Sequence, residues 1–578
     1  MKFSELAGYF ERLEKTSSRL ALIDILSELF KNSPQDEIDK IVYLSQGRIA
    51  PFFEPVEIGM AEKNIAQAIA TAYGGTKEKI LDSYHKLGDM GLVAEKLSEK
   101  KSASDTTVEE VFKVLTEIAN TKGEGTVEKR QKLFTELLKN ADSISAKHLV
   151  RIPLGNLRLG IGDPTILDGL ALAKLGDRNK RKELEEAYNR TSDMGLIAKI
   201  LWEKGLKGVE ELKVQVGKPI RSELCERLPN PQKAIEKMKI VDVQYKYDGF
   251  RVQIHKNGED IRMFSRNLES MTDMFPELVE AARKQINAKT AILDCEALAY
   301  NPESEEFLPF QETTKRRRKY NIEETAKNLP LKAFVFDLLY KDGKSYIDEP
   351  LTKRLEVLRE TIKEDGTLIV TKNQTVSDAE KLSEILEDAI TKGLEGVVIK
   401  KLDSKYVAGG RNFNWVKLKR HSSGELTDTI DCVILGYIVG RGKRTAFGAG
   451  ALLVGVYDSD KDEFVTVSKI GTGLTDDEWR EIHKRADKIK VETKPARINS
   501  IIAPSVWIEP EIVIEVLADE ITRSPVHTAG KEGPPAGGEP GYALRFPRLV
   551  SFRGSDKTAE DATTVKELIR MYKDQTKK

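Results

Sequence analysis

A chain of 578 residues exceeds what one hydrophobic core organises, so two to four domains are expected. Acidic and basic residues balance at 93 each, which excludes a uniformly basic nucleic-acid binder and leaves any polyanion contact to local surface. Cys225, Cys295 and Cys432 lie far apart with no Cys-x-x-Cys pair, which argues against a zinc module or disulfide framework and fits a reducing compartment.

No run of about 18 apolar residues offers a membrane span. The first residues read as an amphipathic helix, with Phe3, Leu6, Ala7, Phe10 and Leu13 on one face, rather than as a signal peptide. Residues 1–213 read as mostly helical. Ala21–Phe30, Ile65–Tyr73, Val108–Ile118 and Arg130–Leu138 carry a helical period between Gly, Ser and Asp clusters. Tyr84-His-Lys-Leu-Gly-Asp-Met-Gly-Leu92 echoes Tyr188-Asn-Arg-Thr-Ser-Asp-Met-Gly-Leu196, which predicts two similar helical halves. Ser98–Thr106 is a polar, loop-like insert. Arg151-Ile-Pro-Leu-Gly-Asn-Leu-Arg-Leu-Gly-Ile-Gly162 sets glycines and arginines ahead of Asp163-Pro164, a helix-start signal. Amides at such a start can hold a phosphate, and glycine permits close approach. A plain helix–helix turn explains the same residues equally well. Lys213–Pro231, with its prolines, reads as the crossing into the next domain.

From about 238 to 420 short strands and helices take over. Val241, Val243, Tyr245 and Tyr247 alternate with Asp242, Gln244, Lys246 and Asp248, the period of a half-buried strand. Asp248-Gly249 ends it, Phe250–His255 alternates again, and Asn257-Gly258 offers a tight hairpin turn into Ile261–Ser265. Lys246 thus lies on a polar strand face just before a turn, where a plain surface lysine would also sit. For its amine to attack at neutral pH, its pKa must fall by roughly three units, about 4 kcal/mol.

Further charged groups follow at strand positions. Thr290–Tyr300 carries Asp294 and Glu296 on one face, and Lys332–Tyr340 carries Phe336 and Asp337. Glu395–Lys400 is a strand, Gly409-Gly410-Arg411 a turn, and Asn414–Lys419 a strand with Lys417 and Lys419 on one face. Leu351–Lys363 and Ser377–Lys392 are amphipathic helices, the second stopped by Gly393. Lys315-Arg-Arg-Arg-Lys319 reads as a solvated loop that could meet a phosphate backbone. From about 421 the chain reads as all-β. Ile430–Tyr437, Ala451–Tyr457, Glu463–Lys469 and Glu511–Ala518 are strands, Thr475-Asp-Asp-Glu478 is a capping box, and Thr564–Lys573 is a terminal helix. About five short strands with one helix suit a small barrel of the OB type.

An ordered set of these segments resembles the covalent nucleotidyltransferase superfamily. It runs Lys246-Tyr-Asp-Gly249, Ser265-Arg-Asn267, Asp294-Cys-Glu296, Phe336-Asp337, Glu395-Gly-Val-Val-Ile-Lys400 and Trp415-Val-Lys-Leu-Lys419, then Arg545-Phe-Pro-Arg548 with Asp556-Lys557. Arg151–Gly162 is similar to a DNA-contact segment of the helical domain in the longer ligases. Over nearly its whole length the chain resembles ATP-dependent DNA ligases of the archaeal type.

That resemblance implies a multidomain protein: an all-α N-terminal DNA-binding domain (1–213), an α+β nucleotidyltransferase or adenylation domain (214–420) and a C-terminal β-barrel OB-fold domain (421–578). It implies nick sealing in double-stranded DNA, with ATP as AMP donor and Mg2+ as metal, in replication, repair and recombination. Lys246 would be the nucleophile. Gln244, Arg251, Arg266, Glu296, Phe336, Arg411, Lys417, Lys419, Arg545 and Lys557 would bind nucleotide, with Phe336 on the adenine. Glu296 and Glu395 would hold the metal, and Arg151, Gly155, Arg158 and Gly160 would touch DNA. Lys417 and Lys419 would stabilise charge at phosphorus and lower the Lys246 pKa. The barrel would close over ATP and then swing to grip DNA. Gln244 departs from the glutamate often found there: its amide still accepts, but it can flip.

NAD-dependent ligases carry a four-cysteine zinc module that this chain lacks. Capping guanylyltransferases have no need of the helical half. An RNA ligase is the remaining relative, separable by sealing of RNA rather than DNA nicks. A non-catalytic nucleic-acid binder could keep a degenerate core, but the intact lysine and both carboxylates speak against it. The expected setting is a cytoplasmic, nucleoid-associated monomer with nicked DNA as partner and no membrane. A sliding clamp stays open as a partner, because Ser98–Thr106 shows no Gln-then-paired-aromatic segment.

Overall fold

The computed structural model describes residues 1–578 except 99–104, 301–307, 309–312, 314, 318–320, 364, 392–393, 420–427, 440–449, 472–473, 519, 525, 533–538, 546 and 576–578. Most of the Ser98–Thr106 insert, the end of the Lys315–Lys319 run and the Gly393 helix stop therefore lie outside the described residues.

Helices run from Phe3–Glu14 through Met194–Glu210, and their apolar stripes merge into one core. Phe3, Leu6, Ala7, Phe10 and Leu13 are all buried in it, as their spacing predicts. The two echoed segments share one construction. Each ends a helix on a left-handed residue, Gly88 (φ 68°) or Ser192 (φ 53°), and each opens the next helix on an aspartate. Asp89 caps the amides of Gly91 and Leu92, and Asp193 caps that of Leu196. The glycine that follows admits a neighbouring helix. A Cβ on Gly91 would lie 2.8 Å from the Lys147 carbonyl oxygen, and one on Gly195 would lie 2.3 Å from the Tyr43 ring. Asp163-Pro164 does open a helix, Asp163–Leu175, with Gly162 as the flanking cap and proline in the first turn.

The next region contributes strands β1 Leu224–Arg227, β2 Val241–Lys246, β3 Phe250–Asn257, β4 Asp260–Ser265, β5 Thr290–Ala299 and β6 Leu331–Lys341. It continues with β7 Lys344–Ser345, β8 Leu368–Val370, β9 Asn373–Val376, β10 Gly396–Lys401 and β11 Arg411–Lys419. The stretch 213–231 is thus more than a crossing, because β1 within it pairs in parallel with β11. Among the described residues these strands form two sheets. One has the order β1-β11-β10-β2-β9. The other has the order β4-β3-β5-β6-β7, with β8 also on β6. Val241 and Val243 pack with Val397, Ile399, Val416 and Leu418 into a core on one face of the first sheet. That burial turns the alternate residues of β2 into the cleft between the sheets.

The last region holds β12 Ile430–Ile438, β13 Ala451–Asp458, β14 Glu463–Ile470, β15 Lys490–Val491 and β16 Ile498–Asn499. It also holds β17 Val506–Ile508, β18 Val513–Leu517, β19 Glu520–Ser524, β20 Gly541–Arg545 and β21 Arg548–Phe552. The expectation of about five strands is too low, because short, poorly patterned pieces such as β15 and β16 pair at the sheet margins. The Thr475 capping box is present, with Glu478 returning to the Thr475 amide. The helix Val565–Gln575 closes the chain.

The three regions touch one another. Phe53 meets Phe264 edge-on at 6.1 Å, and Arg262 pairs with Glu54 at 2.9 Å. Thr165 donates to Asp462 at 2.7 Å, Arg266 pairs with Asp561 at 3.1 Å, and Arg570 pairs with Glu226 at 2.6 Å. No described helix is long and apolar enough to cross a membrane.

Candidate active site

Strand register lays out the floor of the cleft in rows. Lys246 on β2 stands opposite Gly396 on β10, which stands opposite Lys419 on β11. The second row is Gln244, Val398 and Lys417, and the third is Asp242, Lys400 and Trp415. Asn373 on β9 extends the second row beside Gln244. Gly396 is required between the two lysines: its φ is 146°, and a Cβ there would meet the Leu418 carbonyl oxygen at 2.1 Å.

Lys246 Nζ donates to Glu395 Oε2, and Lys419 Nζ pairs with the other oxygen of the same carboxylate. Burial opposes the charge on Lys246, but Glu395, Glu296 and Asp248 outweigh it and hold the amine above its ordinary range. The sequence-based expectation of a lowered Lys246 pKa is therefore wrong for this state. Glu395 lies between the lysines, and Lys419 gives its charge to that carboxylate. Lys417 is the amine driven down, by burial and then by Arg227 and Lys419. Burial raises Glu296 to about 7 against the pull of Lys246 and Arg251. Asp248 is raised as well, by burial and then by Glu395. Three carboxylates thus bear on one amine, and carboxylate oxygens are the donors a hard divalent cation takes.

The facing sheet supplies the other wall. Arg251 Nε donates to Asp294 at 3.0 Å, and its guanidinium lies 5.2 Å from the Phe336 ring centre. Phe336 meets Trp415 edge-on at 5.9 Å. The last region closes the mouth. Arg553 Nε donates to Asp431 Oδ1 at 2.9 Å, and Lys557 donates to Oδ2 of the same carboxylate. Arg411 pairs with Glu567 on the terminal helix. The cleft so lined has a cavity volume of about 220 Å³.

Three family descriptions match the chain in order: DNA ligase N terminus over residues 2–171, ATP dependent DNA ligase domain over 222–419, and ATP dependent DNA ligase C terminal region over 445–557. A probable DNA ligase of Dictyoglomus turgidum is 48% identical across 100% of this chain and 98% of its own length. A probable DNA ligase of Dictyoglomus thermophilum matches equally, at 48%, 100% and 98%. DNA ligase 2 of Thermofilum pendens is 42% identical across 100% of this chain and 98% of its own. The chain belongs to the ATP-dependent DNA ligase family. It is an enzyme that uses ATP to seal nicks in DNA through an adenylate intermediate. The NAD-dependent, capping, RNA-ligase and non-catalytic readings fall away.

Within this ligase, the cleft gathers Lys246, Gln244, Arg251, Arg266, Glu296, Phe336, Glu395, Arg411, Lys417, Lys419 and Lys557, spread over more than half the chain. Arg545 is not among them. It is exposed at the end of β20, paired across a separate hairpin with Glu520. Arg553 takes the place expected of it. The spacing Arg-x-x-Asp-Lys, from Arg553 to Lys557, was the signal available for it. Asp248 and Val398, which lie within the motifs but carried no assigned ligand role, and Asp431 also line the cleft.

Arg151 also needs correction as a DNA contact. Its side chain is 2% exposed and is held by Glu14 at 2.9 Å and by Asp89. Gly155 and Gly160 do form left-handed turns (φ 66° and 67°), and Arg158 between them has φ 57°. Arg158 donates to the Gly88 carbonyl at 3.0 Å, and a Cβ on Gly160 would come within 3.1 Å of Ala496. The Gly160–Gly162 end of the stretch thus lies against Ala496 and Arg497 of the C-terminal region, while Gly155 is exposed. Arg316, read as part of a solvated loop, is buried against Glu277, while Arg317 lines the cleft.

Proposed function

We propose that Lys246 Nζ attacks the α-phosphorus of ATP, releases pyrophosphate and carries AMP as a phosphoramidate. The AMP then passes to the 5′-phosphate of a nick, and the 3′-hydroxyl displaces it. The observation that supports this most is the row Lys246–Gly396–Lys419 with Lys417 one row behind, faced by Arg553 and Lys557. The amines and guanidinium on both sides suit charge developing at phosphorus. Glu395, hydrogen-bonded to Nζ, lies where the proton leaves as the amine attacks. Val398 and Phe336 offer the apolar surfaces for the base, with Gln244 at its edge.

Glu296 and Glu395 would hold Mg2+, which when bound supplies positive charge to the phosphates and to the crowded carboxylates. We read 1–213, 214–420 and 421–578 as DNA-binding, adenylation and OB-type barrel domains of a monomer. It would serve replication, repair and recombination at the nucleoid in the cytoplasm. Gly155, Arg158 and Gly160 are read as contacts to the DNA backbone. Because Gly160 lies against Ala496 of the C-terminal region here, a DNA backbone reaching Gly160 requires that region to move. Incubation with α-labelled ATP and magnesium should label the protein, and nicked duplex should then be sealed in a sequence-tolerant, salt-sensitive manner. Labelling from GTP or NAD in place of ATP would overturn the reading.

A further inference from the structure

Asp242 is fully buried on the cleft floor, two residues before Gln244 and on the same face of β2. Its two oxygens take one amide each. Gln244 Nε2 donates to Oδ2 at 2.8 Å, and Asn373 Nδ2 donates to Oδ1. Asn373 Oδ1 in turn accepts from Arg359 Nη2 at 2.7 Å. Each link has only one possible sense. A guanidinium only donates, so Asn373 must turn its oxygen to Arg359 and its NH2 group to Asp242. A carboxylate only accepts, so Gln244 must also turn its NH2 group to Asp242. The end of the Gln244 amide left for the cleft that it lines is Oε1.

We propose that Asp242 is a specificity-determining positioning residue: through the relay Arg359–Asn373–Asp242 it locks the Gln244 amide with its oxygen toward the base, so that the cleft selects adenine over guanine. The inference rests on the reading that the cleft binds ATP with the base against Gln244. Adenine offers an amino group at C6, which Oε1 accepts. Guanine offers a carbonyl oxygen there, which meets a second acceptor. A free glutamine amide would turn over and serve either base, whereas a glutamate would accept in any orientation. The relay gives the glutamine the one-sided character it otherwise lacks. The relay is built across β2 and β9, whose register sets Asn373 directly opposite Gln244. Arg359 anchors it from the exposed surface of the helix Leu351–Thr361.

The test is formation of labelled protein adduct from α-labelled ATP and GTP, measured as kcat and KM for each, with melting curves to confirm folding. In Asp242→Asn an asparagine can offer oxygen or NH2, so the Gln244 amide is released. The ATP-over-GTP preference should fall on the order of tenfold or more, mainly through KM, because a site built to pair one polar group discriminates through that pairing. Adding Gln244→Glu to Asp242→Asn should restore the preference, since a carboxylate accepts in either orientation; a merely structural role for Asp242 would give no such rescue. Arg359→Met, a surface change, should lower the preference in part and decides the matter if Asp242→Asn does not fold. An unchanged ATP-to-GTP ratio in a folded Asp242→Asn, or in Arg359→Met where that variant decides, overturns the inference. A wild-type protein that takes no label from ATP overturns the nucleotide reading itself, and the inference with it.

Discussion

Asp431 and Arg553 face the cleft as a pair, Arg553 Nε donating to Asp431 Oδ1 at 2.9 Å while Lys557 takes the other oxygen. Burial and the neighbouring Arg553 and Arg266 push the Lys557 amine down to about 8 against the pull of Asp431. One carboxylate thus presents two cations from the C-terminal region toward the row of lysines. In the proposed reaction these cations act where pyrophosphate departs. Arg553→Ala and Lys557→Ala should each slow self-adenylylation strongly, on the order of 100-fold for loss of one preorganised charge. Sealing of a nick already carrying 5′-AMP should slow much less. Arg545→Ala should leave both rates near wild type, since Arg545 is exposed and away from the cleft. Single-turnover measurements of the two steps check this, and equal loss in both steps would contradict it.

The Asp337–Arg354 pair predicts stability rather than rate. Both side chains are 0% exposed, joined at 2.8 Å, and Arg354 also donates to the carbonyls of Glu349 and Ser404 at 2.8 Å each. Asp337 belongs to the Phe336-Asp337 motif but does not line the cleft. Arg354→Met would leave the buried Asp337 carboxylate with Lys400, 4.0 Å away, as its cationic partner, at a cost of about 3 kcal/mol. Denaturant unfolding should show that loss, and a change under about 1 kcal/mol would contradict this account.

The acid limb of stability should carry the mark of His255. The ring is 1% exposed; Nδ1 accepts from the Gly217 amide at 2.9 Å, and Nε2 lies 2.9 Å from Gln253 Oε1. Burial, with Arg262, holds its pKa down to about 3 from 6.5. The unfolded chain therefore takes up the proton more readily than the folded one. This contribution is complete above pH 6.5 and is lost progressively as pH falls from there toward 3, at about 1.4 kcal/mol per pH unit. His255→Gln should be less stable at pH 7 but show a flatter stability curve between 6.5 and 4.5. An unchanged slope would argue against the imidazole as its source.

Much of this was legible in the sequence because it is local. The alternation along Val241–Tyr247 sets Gln244 and Lys246 on one face, and that along Asn414–Lys419 does the same for Lys417 and Lys419; register then brings the two faces together. The echo around Asp89 and Asp193 was legible for the same reason: cap, glycine and helix follow one another in the chain. What escaped depends on distant partners. Arg151 reads as a surface cation until Glu14 and Asp89 arrive from elsewhere to bury it. The raised Lys246 pKa follows from Glu395, just ahead of β10 and 149 residues away. Asp242 has no evident role until Asn373 is set beside it by the β2–β9 register.

The central claim is that the AMP is carried on Lys246 Nζ. Wild-type protein incubated with ATP and magnesium, then digested and mapped by mass spectrometry, should carry AMP on the peptide containing Lys246. That adduct should be acid-labile and base-stable. Lys246→Arg should carry none, because a guanidinium stays protonated and cannot attack. An adduct on any other residue, or a Lys246→Arg protein that still gains AMP, would contradict the account.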